Sequence, residues 1–322
     1  MKNSKVQNRS TKDDEVIAAL PRACADETAA VEFMEKQRWG KHPACPRCGD
    51  MNVYKMLDAK TGERQANYRW RCRGCKEQYT VRIGTVFEES RIPLMHWCYA
   101  FWRSSTSKKG VSALEIKRHT GLSYKSALFM LHRIRFAMQD TPTDKLQGDV
   151  EVDEIYIGGR PRNPWGDARK DRHTRKTAVV ALVERGGRVR PKIVANVNGK
   201  NLKNIIRDNV EKSARIMTDE SPVYRGIGPE FEGGHQTVCH GRGEYVKRGT
   251  DITTNTVEGF FSIVRRGLDG IYHSVSKKHL HRYLDEFAFR YDHRALEDGQ
   301  RCTLAIKKSE GKRLLYKEPK GV

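Results

Sequence analysis

The stretch 150-VEVDEIYIGG-159 has the composition of a buried β-strand with a carboxylate in its middle. Valine and isoleucine dominate the stretch, and β-branched residues favour the extended backbone. The stretches 177–184 and 188–198 are also rich in valine and other β-branched or apolar residues. Between them lies Gly186-Gly187, a dipeptide that favours a tight hairpin. The three stretches therefore predict consecutive strands, of which the last two form a hairpin.

The chain continues from these strands with alternating helical and extended patterns. We expect a helix over 201–212, a strand over 214–218, a short strand over 237–239, and helices over 257–266 and 277–296. This order predicts an α/β domain and is consistent with an RNase H-like fold. Many folds share the same order, so spacing alone does not select among them.

Three carboxylates in this region stand out by their placement. Asp153 lies inside the first strand, Asp219 ends the strand 214–218, and Glu258 lies in the first turn of a helix. Burying a carboxylate is costly unless it is paired or bound to a metal. If the two strands are neighbours, Asp153 and Asp219 point at one spot that Glu258 reaches from a covering helix. Oxygen ligands of this kind suit Mg²⁺ or Mn²⁺, and two such ions catalyse phosphodiester displacement.

The neighbouring acids leave this interpretation open. Glu151 and Glu154 flank Asp153, and Glu220 follows Asp219, so composition does not choose among them. Asp219 is also placed to cap a helix rather than to bind a metal. On the residues alone, the metal site and a purely structural role for these acids are about equally well supported.

Four cysteines form two Cys-x-x-Cys pairs, Cys45/Cys48 and Cys72/Cys75. Each pair presents two thiolates from one tight turn, and four thiolates suit a tetrahedral structural Zn²⁺. The intervening residues predict a β-hairpin with an extended tip over 57–68. Iron is the alternative metal for four thiolates, and zinc is the commoner one in closed structural sites. The ribbon is rich in arginine, and Arg71 and Arg73 are candidate phosphate contacts.

A second candidate DNA-binding element follows the ribbon. Ser112 caps a short helix, the turn 119-HTGLS-123 interrupts it, and a second helix runs over 124–138. Two helices joined by a short turn that contains glycine are typical of a helix-turn-helix. Four side chains of the second helix are predicted to face DNA: Lys125, His132, Arg133 and Arg135. The alternative is an ordinary helical hairpin.

The charge of the chain favours a polyanionic partner. The 322 residues include 61 Lys and Arg against 40 Asp and Glu, a formal net charge of +21. Basic side chains bind phosphates with release of counterions, which predicts double-stranded DNA as the partner. The basic loop 160–176 adds the candidate contacts Arg169 and Lys170. The alternative is a highly charged but inert surface.

The sequence also bears on location. No apolar run of about 18 residues is present, which excludes a membrane-spanning helix. No secretory signal is visible at the N-terminus. We therefore expect a cytoplasmic or nucleoid-associated protein.

The motifs together carry a family resemblance over residues 25–296. The ribbon and helix-turn-helix precede VEVDEIYIGG, IMTDESPVY, NTVEGFFSIVRRG and YHSVSKKHLHRYLDEFAFRYDHR. This series resembles the zinc-ribbon DDE transposases of bacterial insertion sequences, the ISXO-like branch. The resemblance implies an RNase H-like domain whose triad is Asp153, Asp219 and Glu258, and which cuts element ends and joins their 3′-hydroxyls to target DNA. Such transposases often carry a DNA-contacting Lys seven residues after the Glu, where this chain has Arg265, followed by Arg266.

The sequence thus predicts five segments. They are a helical N-terminal segment (1–41), a zinc ribbon (42–82), a helix-turn-helix region (91–140), an RNase H-like catalytic domain (148–297) and a basic tail (298–322). Two element ends must be held together, so we expect a homo-oligomer on DNA. Two rival functions remain: a ribbon and helix-turn-helix regulator without catalysis, and an RNase H-like nuclease that cuts without joining.

Overall fold

The computed structural model describes residues 14–141, 143–158, 176–244 and 246–315. The chain divides into two compact units. One unit comprises Met1–Gln139 with His293–Val322, and the other comprises Asp140–Asp292. Arg169 and Lys170 lie outside the described residues. None of the helices within the described ranges is long and apolar enough to cross a membrane.

The first unit opens with two helices and the ribbon. The helices are α1 (Glu15–Ala23) and α2 (Glu27–Trp39), and the ribbon strands are β1 (Val53–Lys55), β2 (Trp70–Cys72) and β3 (Gln78–Tyr79). The three strands form an antiparallel sheet in the order β1-β2-β3. The predicted hairpin therefore forms, with its tip between β1 and β2.

Aromatic side chains supply the core of this small sheet. Trp70 and Tyr79 are buried, and Trp39 of α2 meets both rings edge-on at centroid distances of 5.6 and 5.9 Å. The indole N–H of Trp70 donates to Glu35 of α2 at 2.7 Å. Edge-on pairs and a satisfied indole N–H stabilise such a core. These two aromatics therefore pack the ribbon rather than present a stacking surface.

Three helices follow the ribbon: α3 (Leu94–Thr106), α4 (Ala113–Thr120) and α5 (Tyr124–Met138). Ser112 caps α4 by accepting from the Glu115 N–H at 3.0 Å, and Ser123 caps α5 in the same way. Gly121 ends α4 in the left-handed conformation, with φ of 70°. Glycine adopts this conformation at little cost. The predicted pair of helices joined by a short turn is thus present.

The C-terminal segment contains a helix that the sequence interpretation did not predict. Helix α9 (Asp298–Lys307) lies in the region assigned to a basic tail and packs against α2 and α3 of the same unit. Cys302, Ala305 and Ile306 are fully buried. Their three- and four-residue spacing puts them on one helical face. The apolar stripe is short and the segment is rich in basic residues, so the sequence was interpreted as a basic tail and not as a helix.

The second unit is built on a five-stranded mixed sheet. Its strands are β4 (Asp149–Ile157), β5 (Thr177–Glu184), β6 (Val189–Val194), β7 (Arg215–Asp219) and β8 (His235–Val238). The order is β6-β5-β4-β7-β8. Strand β5 is antiparallel to β4 and β6, whereas β7 is parallel to β4 and β8 is parallel to β7. This is an RNase H-like sheet, as predicted.

Helices cover both faces of this sheet. The helices are α6 (Gly199–Asn209), α7 (Asn255–Gly267) and α8 (Leu280–Asp292). Val150 and Val152 of β4 pack with Leu202 and Ile206 of α6 on one face. Ile155 of β4 packs on the other face with apolar residues of α7 and α8, namely Val257, Phe260, Phe261, Val264, Leu280, Leu284 and Phe287. Because side chains alternate between the two faces along β4, its odd-numbered residues lie on the face covered by α7.

Candidate functional site

The first two carboxylates lie on neighbouring parallel strands. Glu151 of β4 pairs with Met217 of β7, and the same register continued by two residues sets Asp153 beside Asp219. Asp153 shares the α7-facing side of β4 with Ile155 because side chains alternate along a strand. Residues paired across parallel strands point to the same face of the sheet, so the Asp219 side chain also lies on the face covered by α7. One Asp219 oxygen also accepts from the Ser221 N–H at 3.1 Å, so Asp219 caps the following turn as well.

Glu258 comes from the first turn of α7, on the same side of the sheet. Its Oε1 accepts from the Thr254 hydroxyl at 2.8 Å and lies 3.2 Å from His240 Nε2. His240 Nε2 is also 3.1 Å from the Thr254 hydroxyl. The two neighbours fix the direction of the Glu258 carboxylate.

The three carboxylates influence one another electrostatically. The pKa of Asp153 is raised to about 7, mainly by burial; a hydrogen bond from the Glu154 N–H lowers it, and the negative charges of Glu154, Asp219 and Glu258 add to the rise. Such a raised pKa is the expected cost of gathering acids in a partly buried place. A hard cation would remove this cost, and an all-oxygen donor set fits Mg²⁺ or Mn²⁺.

The flanking acids have other partners. Glu154 lies on the opposite face of β4 and accepts from the buried Tyr224 hydroxyl. Glu220 accepts from the N–H groups of His240 and Gly241 at 2.8 and 2.9 Å. Glu151 is fully buried and binds the first turn of α7. The structure thus gives each flanking acid a partner that the sequence did not reveal.

The four ribbon cysteines form a compact metal site. Cys45 Sγ lies 3.7 Å from Cys75 Sγ, and Cys48 Sγ lies 3.6 Å from Cys72 Sγ. A tetrahedron with Zn–S bonds of about 2.3 Å requires sulfur separations of about 3.8 Å. A backbone N–H of Asp50 lowers the pKa of Cys48 to about 7, which favours the thiolate. The site therefore fits a structural Zn²⁺.

The two sites differ in how closely their ligand atoms approach. We compared groups of three or more His, Cys, Asp or Glu side chains within the described ranges. Only in the group of four cysteines do all the ligand atoms lie within 4.8 Å of one another. Asp153, Asp219 and Glu258 therefore face a common space without forming an equally tight cluster.

The candidate DNA contacts divide into exposed and buried groups. Arg265 and Arg266 are exposed in the last turn of α7, and Lys125 is exposed in the first turn of α5. Arg73 is exposed on the ribbon, with its guanidinium 4.9 Å from the Tyr54 ring centre. Arg71 is half-buried, and its Nε donates to the Lys76 carbonyl at 3.3 Å.

The expectation that His132, Arg133 and Arg135 face outward is corrected by the structure. Their exposed fractions are 8%, 9% and 2%. Arg133 donates to the backbone carbonyls of Leu314 and Glu88 at 3.1 and 3.2 Å. The second half of α5 is buried almost all round, so these guanidinium groups serve packing within the protein.

An RNase H-like domain joined to a four-cysteine ribbon is the architecture of zinc-ribbon DDE transposases. Residues 145–292 match the ISXO2-like transposase domain, and residues 25–78 match the transposase zinc-ribbon domain. The two matches together span more than half of the chain. The chain therefore belongs to the ISXO2-like family of insertion-sequence transposases, which confirms the resemblance carried by its motifs.

A curated relative supports the same assignment. The "Uncharacterized protein in transposable element ISH50" of Halobacterium salinarum is 28% identical over 279 residues. The similarity covers 82% of this chain and 90% of that protein.

Sequence reasoning assigned no role to three residues that shape the site: Glu151, Thr254 and His240. Glu151 was visible only as one of several acids around Asp153. Thr254 and His240 are separated by 14 positions and meet at Glu258 through the fold. No local pattern distinguishes such residues, because their partners are distant in the chain.

Proposed function

We propose that this protein is an active transposase that cuts the ends of its insertion sequence and joins them to target DNA. The observation that carries the proposal is the convergence of Asp153, Asp219 and Glu258 on one face of an RNase H-like sheet. The raised pKa of Asp153 supports it, because it marks a place where a cation is favoured.

In this proposal Asp153, Asp219 and Glu258 hold two Mg²⁺ or Mn²⁺ ions. Bound ions activate the attacking oxygen and stabilise the leaving oxygen. In the first step water attacks the scissile phosphorus, the P–O3′ bond breaks, and the element end keeps a 3′-hydroxyl. In the second step that hydroxyl attacks a target phosphodiester, so that a new P–O bond forms and a target 3′-hydroxyl leaves. The three carboxylates would keep the two ions in position through both steps.

The basic surfaces supply DNA binding in this proposal. Arg265 and Arg266 lie on the helix that carries Glu258 and are exposed, and in this proposal they bind phosphates of the DNA near the cleaved bond. The first turn of α5 exposes Tyr124 and Lys125. Helix-turn-helix proteins contact bases with the N-terminal residues of the second helix. Element ends are recognised by this turn together with Arg73 of the ribbon, and the two ends are held by a homo-oligomer.

Substitutions in α5 test which part of the helix binds DNA. We expect Lys125→Ala to weaken binding to duplex DNA about 3- to 10-fold and to lower the salt dependence by about one phosphate contact. Arg133→Ala removes two hydrogen bonds to buried carbonyls, so it should lower the free energy of unfolding by about 1–3 kcal/mol. Salt-dependent binding curves and thermal melts of both variants check this. A fully stable Arg133→Ala that loses DNA binding would contradict the assignment.

The central experiment incubates the purified protein with Mg²⁺ or Mn²⁺, DNA carrying the ends that flank its gene, and a target plasmid. We expect nicks at the element ends followed by joined products. Nicks without joined products would favour a nuclease. Salt-sensitive binding without any nick, with both ends present, would favour a regulator.

A further inference from the structure

The N-terminus of α7 is capped in an unusual way. The first N–H groups of a helix have no partner within the helix and are commonly bound by the side chain of the preceding residue. Thr254 occupies that position in α7 and makes no such hydrogen bond. Its hydroxyl instead donates to Glu258 at 2.8 Å.

Glu151 of β4 takes over the capping of this helix. One of its carboxylate oxygens accepts from the N–H groups of Thr256 and Val257 at 2.7 and 3.0 Å. The other accepts from the Thr256 hydroxyl at 2.8 Å and from Arg185 Nε at 2.6 Å. The side chain is 0% exposed, so these four donors replace its water. A helix N-terminus attracts a carboxylate through both its free N–H groups and its dipole.

Arg185 extends this connection to the segment before the helix. The Nη2 of Arg185 donates to the Thr253 carbonyl at 2.9 Å, and its Nε donates to Glu151. The guanidinium therefore ties β5, β4 and the entry to α7 together. A buried carboxylate is stable only with such a charged partner and a full set of donors.

We infer that Glu151 is the positioning residue that fixes Glu258 against Asp153. Glu151 and Asp153 lie two residues apart on one strand and face the same side. Glu151 holds the turn of α7 that carries Glu258, so it sets the distance and rotation of Glu258 relative to Asp153. Because Glu151 does the capping, the Thr254 hydroxyl is free to orient the Glu258 carboxylate. The inference rests on the proposed function in that it takes Glu258 as a metal ligand.

The test compares Glu151→Gln with Glu286→Gln in the full-length protein. Glutamine keeps the shape of the side chain but removes the charge. Glu286 is the matched control, since it is also buried in this unit and binds Tyr272 and Arg290 instead of α7. Both variants should be less stable than the wild type. Three readouts separate positioning from general destabilisation: Mn²⁺ binding by calorimetry without DNA, hydrogen exchange of residues 253–260, and the kcat and KM of strand cleavage.

We expect Glu151→Gln to weaken Mn²⁺ binding and to lower kcat, each about 10- to 100-fold, as is typical when a group that orients a metal ligand is lost. The KM for DNA should stay unchanged, and exchange should rise over 253–260. Glu286→Gln should leave Mn²⁺ binding, kcat and that segment unchanged. If Glu151→Gln does not fold, Thr256→Val provides a milder test. It removes one donor to Glu151, and we expect an effect of about 3- to 10-fold on the same readouts.

The outcomes distinguish this inference from the proposed function. Mn²⁺ binding that is lost in Asp153→Asn but equals the wild type in Glu151→Gln would overturn the positioning role. An equal loss in Glu151→Gln and Glu286→Gln would also overturn it. A wild-type protein that binds no Mn²⁺ and cuts no DNA would overturn the proposed function itself, and the inference with it.

Discussion

Asp219→Asn is expected to abolish metal-dependent strand cleavage and joining, with a loss of about three orders of magnitude or more. Losing a carboxylate from a two-ion site removes several kcal/mol of transition-state stabilisation, and each ~1.4 kcal/mol is a factor of ten in rate. Asparagine keeps the shape of the side chain. It also keeps a side-chain oxygen that can accept from the Ser221 N–H, so the fold should survive.

Single-turnover cleavage of end-labelled DNA in Mg²⁺ and in Mn²⁺ measures this effect. Asp208→Asn is the control, because Asp208 is an exposed acid of α6 in the same unit. It should cleave like the wild type. If Asp219→Asn binds DNA like the wild type, the substitution impairs the cleavage step and not DNA binding. Cleavage by Asp219→Asn within tenfold of the wild-type rate would remove Asp219 from the catalytic site.

Cys72→Ser is expected to release zinc and unfold the ribbon. Cys72 is fully buried between the ribbon strands, and its Sγ lies 3.6 Å from that of Cys48. Structural zinc sites contribute roughly 10–16 kcal/mol of binding free energy at neutral pH, which is folding free energy for so small a sheet. Replacing one thiolate by a hydroxyl should therefore lower the zinc content from about one ion per chain to a small fraction.

Elemental analysis after dialysis and near-UV circular dichroism measure this loss. The matched control is Cys239→Ser, since Cys239 lies in the second unit and outside the four-cysteine group. It should keep its zinc. If the element ends are bound through the ribbon, Cys72→Ser should also lose end binding at least about tenfold. A Cys72→Ser protein that retains full zinc would mean that the metal is held elsewhere.

Much of this architecture was predictable because its signals are local. Strand β5 was predicted with the observed bounds, and β4, β7 and α7 within a few residues. The Cys-x-x-Cys pairs predicted a compact four-cysteine site, because each pair fixes two ligands within one turn. Dense β-branched runs, glycine turns and ligand spacings depend on neighbours in the chain, so the chain displays them directly.

The sequence was less informative where a residue's role depends on a distant partner. Arg133 and Arg135 are basic residues of the second helix of a predicted helix-turn-helix, yet both are buried, because the second half of α5 is covered on nearly every side. For these arginines, tertiary packing overrides the local pattern. Helix α9 was missed because its short buried stripe, Cys302, Ala305 and Ile306, is flanked by the charged residues Arg301 and Lys307.

The sequence by itself determined the order of the elements up to the C-terminal helix, the four cysteines of the ribbon and the set of candidate acids. Only the tertiary structure separated those acids into different roles. Asp153 faces α7 beside Asp219, Glu154 turns to Tyr224 on the other side, and Glu151 binds the helix that carries Glu258. The reason is physical: a carboxylate's role depends on which donors and charges surround it, and these come from strands and helices far apart in the chain.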